Sequence, residues 1–155
     1  MIKDKLTKLR KLFNLHGIDG YIIPKNDAYF SEFSSPDRLK YISNFSGSAG
    51  QALILKNKNY LLVDGRYTIQ AEIESGKEFK ICEIPKFSYK QILKKLNKKL
   101  TIGFDPQLFT NYYIKDRLRP FFKLVPIEKN LIDKINISSK KNSVNLFYNL
   151  NKNIT

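Results

Sequence analysis

The sequence predicts an α/β domain in which a mixed β-sheet carries helices on both faces. Two observations point there. Short apolar runs bounded by Gly, Pro or Asn alternate with longer stretches whose apolar residues recur every three or four positions. One pair of these runs is separated by only two residues, so a hairpin interrupts the alternation and makes the sheet mixed. Alternation of this kind implies right-handed crossovers between parallel strands. The 155 residues, 42% of them hydrophobic and 27% charged, suffice for one domain with a real core.

The elements follow in order. Ile2, Leu6, Leu9, Leu12 and Phe13 fall on one face of an amphipathic helix, which Gly17 is placed to end. Gly20 to Pro24 (GYIIP) is short, apolar and closed by proline, as a buried strand is. Ser35 followed by Pro36 has the form of a helix start, with proline in the first turn where its missing N–H is harmless. That helix carries Arg38 to Asn44 and buries Leu39 and Ile42. Gln51 to Lys56 and Asn59 to Asp64 form the hairpin around Asn57-Lys58. Ile69 and Ile73 then sit four apart on a helix that Gly76 terminates, and Phe79 to Ile84 is a further strand. Ser88-x-x-Gln91 matches a capping box and opens a helix through Leu100. Thr101 to Asp105 is a strand, Thr110 caps a helix through Leu118, and Phe121 to Ile127 is the last strand.

From about Asn136 the texture becomes polar, asparagine-rich and weakly periodic. Residues 1–133 therefore read as one domain, and 134–155 as a linker or the beginning of a following domain.

The net charge of +14 raises the question of nucleic acid. Lysines outnumber arginines 23 to 5 and occupy polar positions along the whole chain rather than one block. Even the dense KKLNKK (Lys94 to Lys99) lies opposite Ile92, Leu93, Leu96 and Leu100, so its lysines form a solvated helix face. No nucleic-acid partner is expected. Nor is a membrane, because nothing approaches the ~18 apolar residues of a span. The N-terminus lacks the apolar centre of a signal peptide, and Cys82 alone permits no internal disulfide. A cytoplasmic protein is the default.

Catalytic signals are missing. A Ser-His-Asp triad needs a histidine, and His16, at the end of the first helix, reads as a helix-end residue. No H-x-x-x-H or clustered D-x-D spacing offers a metal site, and no phosphate-binding glycine motif occurs. Gly47-Ser48-Ala49-Gly50 reads as a turn where small residues let the backbone pass closely. Asp64-Gly65-Arg66-Tyr67 is more informative. Ligands gather beyond the carboxyl ends of strands in α/β sheets, and arginine there offers a rigid fork for a carboxylate or peptide carbonyl. The alternative is an internal pair, Asp64 or a glutamate with Arg66, that fixes the turn.

At these residues the sequence resembles a known family. IIPKNDAYFSEF, RLKYISNFSGSAGQALI, VDGRYTIQAE and ENLID, spread in order from Leu6 to Asp133, are together similar to the N-terminal domain of Xaa-Pro aminopeptidases, within the creatinase/prolidase family. The likeness is strongest to the three-domain cytosolic type. It implies a creatinase N-terminal-domain-like mixed sheet and a non-catalytic role in shaping the substrate cleft. It also implies an absent C-terminal "pita-bread" catalytic domain, in which two Asp, one His and two Glu hold two divalent ions, usually manganese. The full-length enzyme would be a metallopeptidase hydrolysing the bond between an N-terminal residue and a following proline. Its partners would be its own catalytic domain and peptides with proline second, and a homodimer is compatible with the resemblance. Arg66 matches the family's substrate-reaching arginine. Tyr29 stands where the family usually has a histidine, in Asp27-Ala28-Tyr29, so it can offer a hydrogen bond but no proton at neutral pH. The alternative within the same fold is a peptide-binding or assembly module of a catalytically inactive relative.

Overall fold

A computed structural model describes residues 1–26, 36–96 and 98–136. Helix α1 (Ile2–His16) buries Leu6, Leu9 and Phe13 and ends at Gly17, whose φ of 64° is the left-handed turn that glycine adopts without strain. Strand β1 (Gly20–Pro24) is buried along its whole length. Helix α2 (Arg38–Ser43) leads to the hairpin of β2 (Gln51–Leu55) and β3 (Asn59–Asp64). A single 3₁₀ turn, Gly65–Tyr67, passes into α3 (Thr68–Ser75), and β4 (Lys80–Ile84) follows. Then come α4 (Tyr89–Leu96), β5 (Thr101–Phe104) and α5 (Asn111–Tyr113), which widens into a π-type turn over Ile114–Leu118. Strand β6 (Lys123–Pro126) precedes a last helical stretch, α6 (131–136).

The six strands lie in the order β4-β3-β2-β1-β5-β6. β2 runs antiparallel to both β1 and β3, while β1, β5 and β6 are mutually parallel and β3 is parallel to β4. Five strands therefore end at one edge of the sheet, and only β2 begins there. The expected mixed sheet with helices on both faces is what forms.

Each central strand feeds both faces, which is why these runs are continuously apolar rather than alternating. Tyr21, Ile23, Ile54, Leu61 and Val63 pack with α1, α2 and α6 through Leu9, Phe13, Leu39, Ile42 and Leu131. On the other face Ile22, Leu53, Tyr60, Leu62 and Cys82 meet Tyr89, Ile92, Leu118 and Phe122.

Several expectations shift. Asp37, not Ser35, caps α2: its carboxylate accepts from the Lys40 N–H, and Ser35 lies outside the described residues. Helix α4 stops at Leu96, short of Leu100, because Leu100 has already joined the sheet, its carbonyl accepting from the Lys123 N–H. Only half of the capping box forms, with the Gln91 side chain accepting from the Ser88 N–H. Helix α3 exists, but Ile69 and Ile73 face outward, 77% and 80% exposed. Its inward positions are Ala71 and Ser75, and Ser75 donates to the Ser43 carbonyl at 2.6 Å. Gly76 ends α3 with right-handed geometry, φ −64°, so no left-handed cap is involved.

The ENLID segment is a latch. Asn130 donates to Asp105 at 2.9 Å, while its own side-chain oxygen accepts from the Ile132 N–H and so starts α6. One turn on, Asp133 takes both Nε and Nη2 of Arg38, at 2.8 and 2.9 Å. The Leu131 N–H donates to the buried Tyr21 hydroxyl. These bonds tie the end of the domain to β5, α2 and β1 at once.

Candidate functional site at the carboxyl edge of the sheet

The edge where five strands end collects the loops that carry the quoted motifs. Asn26 follows β1, the Gly47–Gly50 loop precedes β2, Asp64–Tyr67 follows β3, and Asp105–Thr110 follows β5. Ligands gather at this edge in sheets of this kind.

Arg66 sits there in the open. Its side chain is 77% exposed, and its guanidinium grips Asp64 through Nε at 3.2 Å and Nη2 at 2.9 Å. Asp64 also accepts from the Arg66 N–H at 2.9 Å, capping the 3₁₀ turn. Hydrogen bonding from Arg66 holds the Asp64 carboxyl below its ordinary value, and the same bonds push the Arg66 pKa upward. The internal pair weighed as an alternative is therefore present. It does not bury the arginine, whose fork stays accessible to solvent.

Tyr67 anchors this turn to the small-residue loop. Its hydroxyl meets the Ser48 hydroxyl, its ring packs edge-on against Phe45 at 6.0 Å, and the Arg66 guanidinium lies 5.3 Å from the ring centre. Ser46 adds a second tie, with its hydroxyl and N–H both donating to Glu74 of α3. The expected close backbone passage is real at Gly47, where an added Cβ would lie 2.3 Å from the Phe45 ring.

On the other side of Ser48 a cleft of about 440 Å³ opens between the ends of β1, β2 and β5, lined by Asn26, Ser48, Gln51, Thr110 and Tyr113 among others. Gln51 forms its floor: the Tyr113 hydroxyl donates to the amide oxygen at 2.9 Å, and the amide nitrogen donates to the Tyr89 hydroxyl. Burial pushes both tyrosine pKa values up, so both hydroxyls stay protonated and neutral. The roles of Tyr67, Ser48 and Gln51 were not read from the sequence. Tyr67 sits inside the quoted DGRY stretch, but the cross-loop contact that defines its role has no local signature.

Other sequence candidates fall elsewhere. Tyr29 lies outside the described residues. His16 ends α1, before β1 begins, and so belongs to the opposite edge from Arg66. Among the described residues no three His, Cys, Asp or Glu side chains come together as metal ligands would. No helix among them is long and apolar enough to cross a membrane.

Comparison with known proteins places the sequence and the fold in a family. The Creatinase/Prolidase N-terminal domain family matches residues 5–135. Xaa-Pro aminopeptidase 1 of Dictyostelium discoideum is 36% identical over 151 residues, covering 90% of this chain and 24% of that protein. Probable Xaa-Pro aminopeptidase P of Laccaria bicolor is 34% identical over 140 residues, covering 84% and 22%. The chain thus spans about a quarter of the length of these relatives. Among solved structures, the X-prolyl aminopeptidase of Caenorhabditis elegans superposes with a TM-score of 0.77 at 27% identity, over 86% of this chain and 25% of that one. That protein is described as a cytosolic enzyme with a di-nuclear active site. On sequence and fold together, this chain belongs to the Creatinase/Prolidase N-terminal domain family and is an N-terminal domain of the Xaa-Pro aminopeptidase type.

Proposed function

We propose that this domain is the non-catalytic N-terminal part of a cytoplasmic, metal-dependent Xaa-Pro aminopeptidase, and that its carboxyl edge helps shape the substrate cleft. The whole enzyme would release an N-terminal residue that precedes proline. The observation that carries the reading is Arg66, an exposed guanidinium held by Asp64 where five strands end.

The described residues do not supply a metal site, so the two divalent ions of this reading, manganese by family likeness, need ligands from elsewhere in the protein. The residues in hand orient and bind. Asp64 holds the Arg66 fork in place at this edge before substrate arrives. An exposed ion pair is weakly held, so a peptide carbonyl or carboxylate can replace Asp64 on one arm while the other arm stays bonded. Tyr67, fixed by Ser48 and Phe45, limits where the guanidinium can swing. Arg66 would contribute positioning of the peptide's far side rather than bond breaking.

The test is Arg66→Ala in the protein joined to its catalytic part, assayed on peptides with proline second. Loss of one charged hydrogen bond lowers kcat/KM by about tenfold to a hundredfold, with bound metal unchanged. Wild-type turnover by this variant would remove Arg66 from the site. Failure of the wild-type protein to cleave such peptides at all would favour a binding or assembly module instead.

A further inference from the structure

Helix α3 leaves an apolar face uncovered. Ile69 and Ile73 stand on successive turns, three and seven positions after Arg66, and all three residues are exposed. Residues three or four apart share one side of a helix, so the line begun by Arg66 at the carboxyl edge continues down α3. At its far end a hollow of about 460 Å³ is lined by Ile73, Ile2 and the exposed Met1 among others. Single exposed apolar residues are ordinary; two on adjacent turns beside an open hollow make a patch. The charge differs too. In a chain of net charge +14, α3 holds Glu72 and Glu74 and no lysine or arginine. Glu74 is engaged by Ser46, whereas Glu72 is exposed and has no ion-pair partner among the described residues.

The patch is too small to hold a separate molecule. A standard interface buries about 800 Å² on each partner, far more than two isoleucines and a methionine present. A partner carried on the same polypeptide is present at about millimolar effective concentration and needs much less. The relatives have room for such a partner, because this chain covers only 24% and 22% of two of them. Helix α6, the last described element, lies on the same face of the sheet as α3, since Ala71 shares one core with Leu131, Ile132 and Ile135. It begins, through Asn130 and Asp105, at the edge that also carries Arg66. We propose that the outer face of α3 is the surface on which the C-terminal part of the same polypeptide docks, with an apolar surface over Ile69 and Ile73 and a basic group opposite Glu72. The inference rests on the reading of this chain as the N-terminal part of a longer protein. It places Arg66 at the rim of that contact, on the same exposed line.

Thiol labelling of Ile69→Cys and Ile73→Cys, made one at a time in the 155-residue chain and in the whole protein, tests the surface. Mass spectrometry of the tryptic peptide from Tyr67 to Lys77 reads the modification, so other cysteines do not interfere. In the 155-residue chain both should react as freely as Lys8→Cys, at an exposed position of α1. In the whole protein both should slow about tenfold or more, while Lys8→Cys stays fast. Amide exchange of α3 in the unsubstituted protein should slow in the same comparison, which guards against a contact loosened by the cysteine. Equal labelling and equal exchange in the two proteins overturn the proposal, as does protection of Lys8→Cys to the same degree. Protection already present in the 155-residue chain and rising with its concentration overturns it in favour of a second copy. The readout needs no turnover: protection in a protein that cleaves no Xaa-Pro peptide would sink the peptidase reading and leave the docking surface standing.

Discussion

Replacing Asp133 by alanine should unlatch the end of the domain. Arg38 is only 12% exposed in its side chain, and Asp133 engages it through two bonds of 2.8 and 2.9 Å. Burial alone would lower the Arg38 pKa, but hydrogen bonding and charge from Asp133 outweigh it and the net shift is upward. Without Asp133 the guanidinium stays largely buried with no hydrogen-bonded counter-charge, only the charge of Asp105 nearby, and its Nη1 already lacks a hydrogen-bond partner among the described residues. Removing one partner of a buried pair destabilises by about 3–5 kcal/mol. The 34% exposure of Asp133 lets water reach the gap, which puts this case at the low end, about 3 kcal/mol. For a domain of this size that corresponds to a fall in Tm of roughly 10 °C. Urea unfolding followed by circular dichroism reads it as a lower midpoint at unchanged slope. Replacing both residues, Arg38→Met with Asp133→Leu, should recover much of the loss, since no charge is then stranded. A fall below about 1 kcal/mol for Asp133→Ala alone, the range of a surface pair, would refute the latch.

Three further outcomes follow from the same structure. Gly47→Ala places a methyl group on the buried Phe45 ring and should destabilise by about 1–3 kcal/mol in thermal unfolding; an unchanged Tm would show that the loop yields freely. Burial works to raise the Glu74 pKa, but bonds from Ser46 and Gln70 outweigh it and lower it below the ordinary 4.5. The tie from Ser46 to Glu74 is thus fully present above pH 4.5 and is lost as pH falls through the lower folded-state value; an NMR titration midpoint at or above 4.5 would contradict this. Cys82, buried and with its pKa raised first by that burial, should react with a thiol reagent only after unfolding; rapid labelling of the native chain would count against its packing.

Much of the fold was legible because its strands are short, apolar and bounded by clear breakers. Gly20–Pro24 and the Asn57-Lys58 hairpin needed no tertiary information to be placed. The misses share a cause: they depend on what an element packs against. Ile69 and Ile73 carry helical spacing, yet α3 presents small residues inward because Ser75 bonds the Ser43 carbonyl at close range. Leu100 continues the α4 periodicity but is claimed by β6. Helix α6 had no periodic signal long enough to show, and its start rests on Asn130 reaching Asp105, 25 residues away. At the site, Arg66 stood out as an arginine in a lysine-rich chain. Ser48, Gln51 and Tyr113 at the same edge did not, because their contacts form only once the sheet has assembled.

The hold of Arg66 on substrate is tested most directly by peptide length. If the guanidinium takes the far side of the peptide, Arg66→Ala should lower kcat/KM about tenfold or more for peptides extending beyond the proline, and far less for an Xaa-Pro dipeptide. Equal losses on both, or none on either, would contradict the account.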